Sequence, residues 1–458
     1  MARNLHGVIW TRVSGSPQKM GDLVLSGERI SFTYTRDYLA CGDPGLCLLG
    51  DGSIWGDASV TYPVSERIPV FPRLLSLVPG NNPRNLQRRH YLDLLRAATG
   101  REPPPGPETE WRLLTLGGHG GVGHLDVFAS DIDAQRRYQS AAGPEPSPSR
   151  PRMSGRRSQL WRMLKHEVLD EHVDFDPRVV EAALGPTPSV GGMIPKLLVS
   201  MTPGGSRAAF YPPQTPGKQD MVLKIEPPEY TGLLDLEALC LGLHRQAGFE
   251  VPDWHRLDQE DLHFLAVERF DRGPEGRPIP LESLFSIIAM GDHRFRETGD
   301  ILLEELGGII QRLGEVVNLA GDTGEVLYRR ILMALLTGNG DLHLDNLSVL
   351  GGVGGCRLAP VYDPAPMRAW PRHDLLSAIP FDPSGHADHA LFFLDLGTSL
   401  GLSARQARQC VRDALDATST YAERLMELGR VPLAQRRRLV AVAVAERALM
   451  SRQLSRSP

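Results

Sequence analysis

Two aspartates and an asparagine in a fixed order constrain this chain more than any other feature. Gly338-Asn-Gly-Asp-Leu-His-Leu-Asp-Asn-Leu-Ser-Val349 sets Asp341 five residues before Asn346, and Leu358-Ala-Pro-Val-Tyr-Asp363 follows across a glycine turn. Protein kinases use this order to move a phosphoryl group. On that pattern Asp341 orients the attacking hydroxyl, while Asn346 and Asp363 hold the metal ions that bridge the phosphates. One five-residue spacing means little by itself. The succession of loop, strand, glycine turn, strand and Asp carries the reading.

Composition narrows the class around that loop. A chain of 458 residues, 41% of them hydrophobic, is long enough for two or three domains and for a core that needs no metal or disulfide. The cysteines (Cys41, Cys47, Cys240, Cys356, Cys410) are odd in number and scattered, with no CxxC pair. Neither a disulfide framework nor a zinc site follows, and a reducing cytoplasm is the expected location. No apolar run reaches 18 residues and no secretory leader pattern opens the chain, so no membrane association is expected. The net charge of −5 gives no nucleic-acid signature. Arg150–Arg157 and Arg436-Arg-Arg438 read as solvated faces.

Turn residues and apolar periodicity divide the chain into four parts. Residues 1–130 form a β-rich domain, with alternation in Ile30-Ser-Phe-Thr-Tyr34 and a short run at Leu46-Cys-Leu-Leu49. Closing helices begin near Phe71, on either side of Pro79-Gly-Asn-Asn-Pro83. Residues 131–186 are a linker and helix, rich at first in Pro, Gly, Ser and Arg. Residues 187–272 carry a glycine-bearing turn, Ser189-Val-Gly-Gly-Met-Ile-Pro-Lys196, then a strand with a central lysine, Asp220-Met-Val-Leu-Lys-Ile225. Residues 273–458 are mainly helical.

A lysine inside an apolar strand asks for a partner. The next helix, from Asp235, offers Glu237 on its first turn. Lys224 paired with Glu237 over a nucleotide is the second half of the kinase arrangement; a surface salt bridge is the alternative. The strand Leu262–Asp271 ends in a charged and aromatic segment, where a kinase chain crosses between lobes and backbone groups meet the adenine edge.

On these residues the chain resembles the HipA family, bacterial serine/threonine kinases that act as toxins of toxin–antitoxin pairs. The most specific segments are Val267-Glu-Arg-Phe-Asp-Arg272, Gly338–Asn346 and Tyr362-Asp363, supported by the Ser189–Lys196 loop and Val222-Leu-Lys224. The resemblance implies an α+β fold: a two-lobed, protein-kinase-like core with a small N-terminal β-rich domain and a large helical C-terminal lobe. It makes Asp341 the catalytic residue and Asn346 and Asp363 the Mg2+ ligands. It places Lys224 on the ATP phosphates with Glu237 beside it, and Gly191 and Gly192 in the phosphate loop. Glu268 and Phe270 would contact adenine and Asp271 the ribose. His343 would shape the loop, as an ordinary hydrogen-bonded loop histidine also does. Ser189 would be autophosphorylated, expelling its loop from the ATP site; a plain turn serine is the competing account.

Two departures from the family pattern stand out. Ile194-Pro195 precedes the loop lysine, and proline lacks an N–H for a phosphate oxygen. Asp345 stands where members often carry a lysine before the metal-binding Asn. The resemblance further implies a protein substrate such as a translation component, a separate helix-turn-helix antitoxin of the HipB type, and operator DNA bound only through that complex. A small-molecule phosphotransferase of the aminoglycoside-kinase type and a silent, antitoxin-bound co-repressor are the alternatives.

Overall fold

The computed structural model describes residues 4–49, 58–81, 85–142, 194–202, 210–259 and 262–456. Contacts gather the chain into two units, Met1–Pro228 with Leu257–Leu281, and Glu229–Arg256 with Glu282–Pro458. Their boundaries fall elsewhere than the divisions at 130, 186 and 272 drawn from turn residues. The β-rich domain and the lysine-bearing sheet share one unit, and the helix after that sheet belongs to the other.

The first unit holds two antiparallel sheets. One is ordered β4-β3-β2-β1-β5, from β1 (Leu5–Thr11), β2 (Gln18–Ser26), β3 (Arg29–Tyr34), β4 (Ser59–Pro63) and β5 (Asp126–Phe128). Ile30, Phe32 and Tyr34 alternate into the core while Arg29 and Thr33 face water, as a half-buried strand demands. Gly21 opposes Tyr34 in the β2–β3 ladder, and a Cβ there would stand 2.2 Å from the Thr33 carbonyl oxygen, so only glycine fits. Leu46, Cys47 and Leu48 are buried but not in a strand; the Tyr34 hydroxyl accepts from the Leu46 N–H at 2.6 Å and holds this segment as a loop. The helical stretch expected near Phe71 is a 3-10 turn, Pro72–Leu77. The helices α1 (Arg36–Cys41), α2 (Leu86–Thr99), α3 (Pro107–Gly117) and α4 (Asp131–Ala142) complete this part.

The second sheet runs β7-β6-β8-β10-β9, from β6 (Lys196–Met201), β7 (Phe210–Tyr211), β8 (Gln219–Ile225), β9 (Trp254–Gln259) and β10 (Leu262–Glu268). Pro195 sits just before β6, where its carbonyl accepts from the Ile225 N–H at 2.9 Å. A strand entry tolerates proline because no ladder donor is required there.

The second unit is mainly helical. It comprises α5 (Leu233–Gln246), α6 (Leu284–Gly291), α7 (Leu306–Val316), α8 (Thr323–Thr337), α9 (His389–Ser399), α10 (Ala404–Ala417), α11 (Tyr421–Glu427) and α12 (Leu433–Arg456). A small sheet adds β11 (Leu281–Ser283), β12 (Ser348–Gly352) and β13 (Gly355–Leu358) in that order. Leu327, Ile331 and Leu335 put one face of α8 into the core, with Leu313, Val411 and Tyr421 fully buried around them. Gly232, in the left-handed region at φ +82°, starts α5 two residues ahead of Asp235, so Glu237 lies in the second turn rather than the first. Among the described residues no helix is long and apolar enough to cross a membrane.

Candidate active site

The loop of Asp341 is built from the end of α8. That helix stops because Gly338 adopts φ +77°, a conformation that costs a side-chain residue free energy and glycine little. The Asn339 N–H then bonds back to the Ala334 carbonyl at 2.8 Å, and the Tyr421 hydroxyl reaches the Thr337 carbonyl at 2.9 Å. Both bonds satisfy carbonyls that a helix end leaves open. A Cβ on Gly340 would stand 2.2 Å from the Leu375 carbonyl oxygen, so the backbone passes that segment closely.

Three backbone contacts then fix Asp341 while its side chain stays exposed. Its N–H donates to Asn339 Oδ1 at 3.0 Å, and its carbonyl accepts from the His343 N–H at 2.8 Å and from Asn346 Nδ2 at 3.1 Å. Asn346 is therefore oriented by the residue it serves: its amide nitrogen is used, which leaves Oδ1 for a cation. His343 caps the next turn, its Nδ1 accepting from the Asp345 N–H at 3.2 Å. The loop-shaping role is the one its bonds describe.

Asp363 is brought to this loop by its neighbour. The Tyr362 hydroxyl donates to the Asp345 carbonyl at 2.7 Å and lies 2.6 Å from Ser348 Oγ. Burial pushes the Tyr362 phenol well above its ordinary pKa, so it stays a neutral donor. Asp363 itself takes φ +52°, a left-handed backbone uncommon outside glycine and frequent at functional sites. Its approach is not a strand to the end, since β13 stops at Leu358. Bonds from Ala359 N–H to the Ser348 carbonyl at 2.8 Å and from Val361 N–H to the Glu250 carbonyl at 2.9 Å carry the chain onward. Behind the loop a cavity of about 10 Å³, with room for about one water, is lined by Asn339, Asn346, Arg330 and Tyr362 among others. Arg330 donates to the Ala359 carbonyl, and burial lowers its pKa to about 10. Replacing Tyr362 by phenylalanine removes the tie to Asp345 and Ser348. We expect a loss of about 1 kcal/mol, read as a lower midpoint in denaturant unfolding.

Asp345 accepts from Ser283 Oγ at 2.9 Å, and Ser283 is the N-cap of α6. The crowding of protein around the carboxyl raises its pKa, against the pull of His343 and Ser283. The donors around Asp341 are thus oxygens, an amide and carboxylates, which suit a hard cation such as Mg2+ that shares its coordination with phosphates and water.

Of the other expected residues, Lys224, Glu268, Phe270 and Asp271 lie in the first unit and Glu237 in the second. Lys224 is only 4% exposed and stands directly across the ladder from Lys196, itself 8% exposed. Two lysines on one face of neighbouring strands concentrate positive charge. Lys196 is a residue the strand pattern does not flag, because only the register pairs it with Lys224. Glu237 is fully buried on α5. Glu268 ends β10 opposite Met221, and it and Phe270 are half-buried. Ser189, Gly191 and Gly192 lie outside the described residues.

Asp271 has surroundings other than those expected of a ribose contact. Its carboxylate accepts from Arg269 Nε at 2.9 Å and Nη2 at 2.7 Å, from Arg272 Nη1 at 3.1 Å and from the Gly123 N–H at 2.8 Å. The same arginines donate to the carbonyls of Gly120, Gly121 and Gly123. Val-Glu-Arg-Phe-Asp-Arg thus clamps the loop Gly117-Gly-His-Gly-Gly-Val-Gly123 of the N-terminal part. That glycine-dense run is the one sequence signal that points to it. Burial would raise the Asp271 pKa, but the two guanidinium charges and the donated hydrogen bonds outweigh it and hold the carboxyl far below the usual carboxylate range. The Asp271 carboxylate is thus engaged by four protein donor groups.

Comparison with known proteins gives this geometry a context. Residues 188–421, just over half the chain, match the family model of the HipA-like C-terminal domain. A Sinorhizobium fredii protein named "Putative kinase Y4dM" is 28% identical over 175 residues, 35% of this chain and 38% of the relative. A Haemophilus influenzae protein named "Putative kinase" is 29% identical over 171 residues, 35% of this chain and 49% of that one. The chain therefore spans less than half the length of either relative. Among solved structures, a chain of the Shewanella oneidensis HipA, HipB and operator DNA complex superposes with a TM-score of 0.60 at 16% identity, over 95% of both chains. At that identity the likeness speaks to the fold, a mixed helix-and-sheet, kinase-like architecture.

Proposed function

This chain belongs to the HipA-like family, and on that premise we propose that it is a protein kinase that transfers the γ-phosphoryl group of ATP to a serine or threonine hydroxyl. The observation that carries the reading is the grip of Asn346 on the Asp341 carbonyl, with Asp363 delivered beside them by the Tyr362–Asp345 bond. Asp341 keeps its carboxylate exposed, where it orients an incoming hydroxyl and takes its proton. Asn346 Oδ1 and the Asp363 carboxylate would hold Mg2+, which neutralises charge on the phosphates when bound. Lys224, with Lys196 opposite, supplies cationic charge for phosphate oxygens in the first unit. Glu237, Glu268 and Phe270 keep the nucleotide roles the resemblance implies.

The finer reading follows the family. A HipB-type antitoxin would bind the chain, operator DNA would be met through that complex, and the kinase would act as the toxin. The solved relative, a complex of HipA, HipB and operator DNA, supports this assembly. Autophosphorylation at Ser189 would add about −1.5 to −2 charges to a loop meant for phosphates and so switch the enzyme off.

The test is incubation with labelled ATP and Mg2+, followed by mass spectrometry. Wild type is expected to carry phosphate at Ser189. Asp363→Ala is expected to weaken Mg–ATP binding about 10- to 100-fold, as loss of a metal-holding group does. Unchanged nucleotide affinity in that variant would remove Asp363 from the metal site. Phosphate appearing on small molecules but on no protein would turn the reading to a small-molecule phosphotransferase.

A further inference from the structure

The segment after Asp363 is fixed on the Asp341 loop and yet exposes its outer residues. At one end the Arg368 N–H donates to the Gly338 carbonyl at 3.1 Å. At the other, the Leu375 carbonyl packs against Gly340 so closely that no Cβ fits. Between them Asp374 is held by Arg368 Nε at 3.1 Å and Arg438 Nη2 at 2.7 Å. Arg368 is held in turn by the buried Glu446 at 3.0 Å. His373 Nε2 lies 2.7 Å from the Tyr230 hydroxyl, and the Trp370 ring meets the Tyr230 ring edge-on at 5.2 Å. A segment anchored at so many points is pre-organised, which lowers the ordering cost of binding anything to it.

What it presents is chemically specific. The Arg372 guanidinium lies 4.7 Å from the centre of the Tyr230 ring. That contact sets its position and leaves its N–H edge for an anion. Arg372 is exposed and forms no ion pair among the described residues. Leu375 is 59% exposed. One exposed leucine is ordinary, but this one is fixed one residue from Asp341 through Gly340. The approach of the Leu375 carbonyl to Gly340 sets the segment beside the residue that precedes Asp341.

We propose that residues 370–375 are the acceptor-docking platform, with Arg372 and Leu375 selecting a polypeptide that presents an acidic and an apolar side chain beside the phosphorylated hydroxyl. The inference rests on the phosphoryl-transfer reading and adds the class of acceptor. A cation and an apolar side chain three residues apart on a rigid segment suit a chain that offers two side chains along its length.

A peptide library with one fixed Ser or Thr, labelled ATP and Mg2+ tests it. Wild type is expected to favour Asp or Glu at one position near the acceptor and an aliphatic residue at another. Arg372→Glu should turn the acidic preference into a basic one and raise the KM for an acidic peptide about tenfold, while Arg372→Lys should keep the wild-type choice. Leu375→Ser should raise peptide KM about tenfold with a much smaller change in kcat. Peptide phosphorylation whose preferences are untouched by Arg372→Glu overturns the platform and leaves the kinase standing. ATP turnover without any peptide product also overturns it. Absence of both turnover and transfer overturns the kinase reading beneath it.

Discussion

Asp341→Asn is expected to lower kcat for phosphoryl transfer on the order of 10²- to 10⁴-fold, the usual worth of a positioned general base, and to leave Mg–ATP affinity within about a factor of two. The reason lies in how the loop is held. Three bonds that shape it around residue 341 use backbone: the N–H to Asn339 Oδ1, and the carbonyl to Asn346 Nδ2 and the His343 N–H. An asparagine keeps all three, with a side chain of the same shape, and loses the carboxylate charge that accepts a proton. On the proposed reading nucleotide binding falls to other groups, Asn346, Asp363 and Lys224. Single-turnover transfer and nucleotide titration on the same preparations separate the two effects. Equal transfer by wild type and variant would remove Asp341 from the chemistry. Parallel loss of binding and transfer would make it a structural residue.

That loop was legible because its chemistry is local. The order of Asp341, Asn346 and Asp363 lies within 23 positions, and period-two alternation marked β3 just as directly. Other features depend on contacts that spacing does not encode. Leu46–Leu48 has strand-like composition, yet a bond from the Leu46 N–H to the Tyr34 hydroxyl makes it a buried loop. The start of α5 turns on Gly232 adopting positive φ, a choice available to any glycine. Lys196 joins Lys224 only through sheet register. Asn339, which looks like part of a helix end, orients Asp341 because Gly338 turns the chain first. Asp271 meets Gly123, 148 positions earlier, and no motif that short contains its partner.

Asp271→Asn is the substitution expected to cost most stability, about 3–5 kcal/mol, because it leaves two buried guanidinium groups without their counter-charge. The side chains of Arg269 and Asp271 are 2% and 6% exposed, and Arg272 matches Asp271 at 6%. An asparagine also turns an amide N–H toward donors. By contrast the open pair Arg245–Asp253, with side chains 46% and 65% exposed, is worth at most about 1 kcal/mol, so Asp253→Asn serves as the control. The pH profile carries a second signature. The Asp271 pKa is depressed in the folded chain and ordinary, about 3.9, when unfolded. Its contribution is therefore complete above the unfolded value and is lost as pH falls through the acid range below it. Buried His119 and His124, lowered to about 4 and about 3 chiefly by desolvation, cause a separate loss that begins near pH 6.5, where the unfolded imidazoles take up protons. Wild type should lose stability in both windows, while Asp271→Asn should start lower, keep the histidine window and fall less steeply than wild type below about pH 4, where the other depressed carboxylates, Asp292 and Glu446 among them, still titrate. Denaturant unfolding of the full chain across that range reads both effects. An Asp271→Asn variant as stable as wild type but weakened in ATP binding would return Asp271 to the ribose and dissolve the clamp.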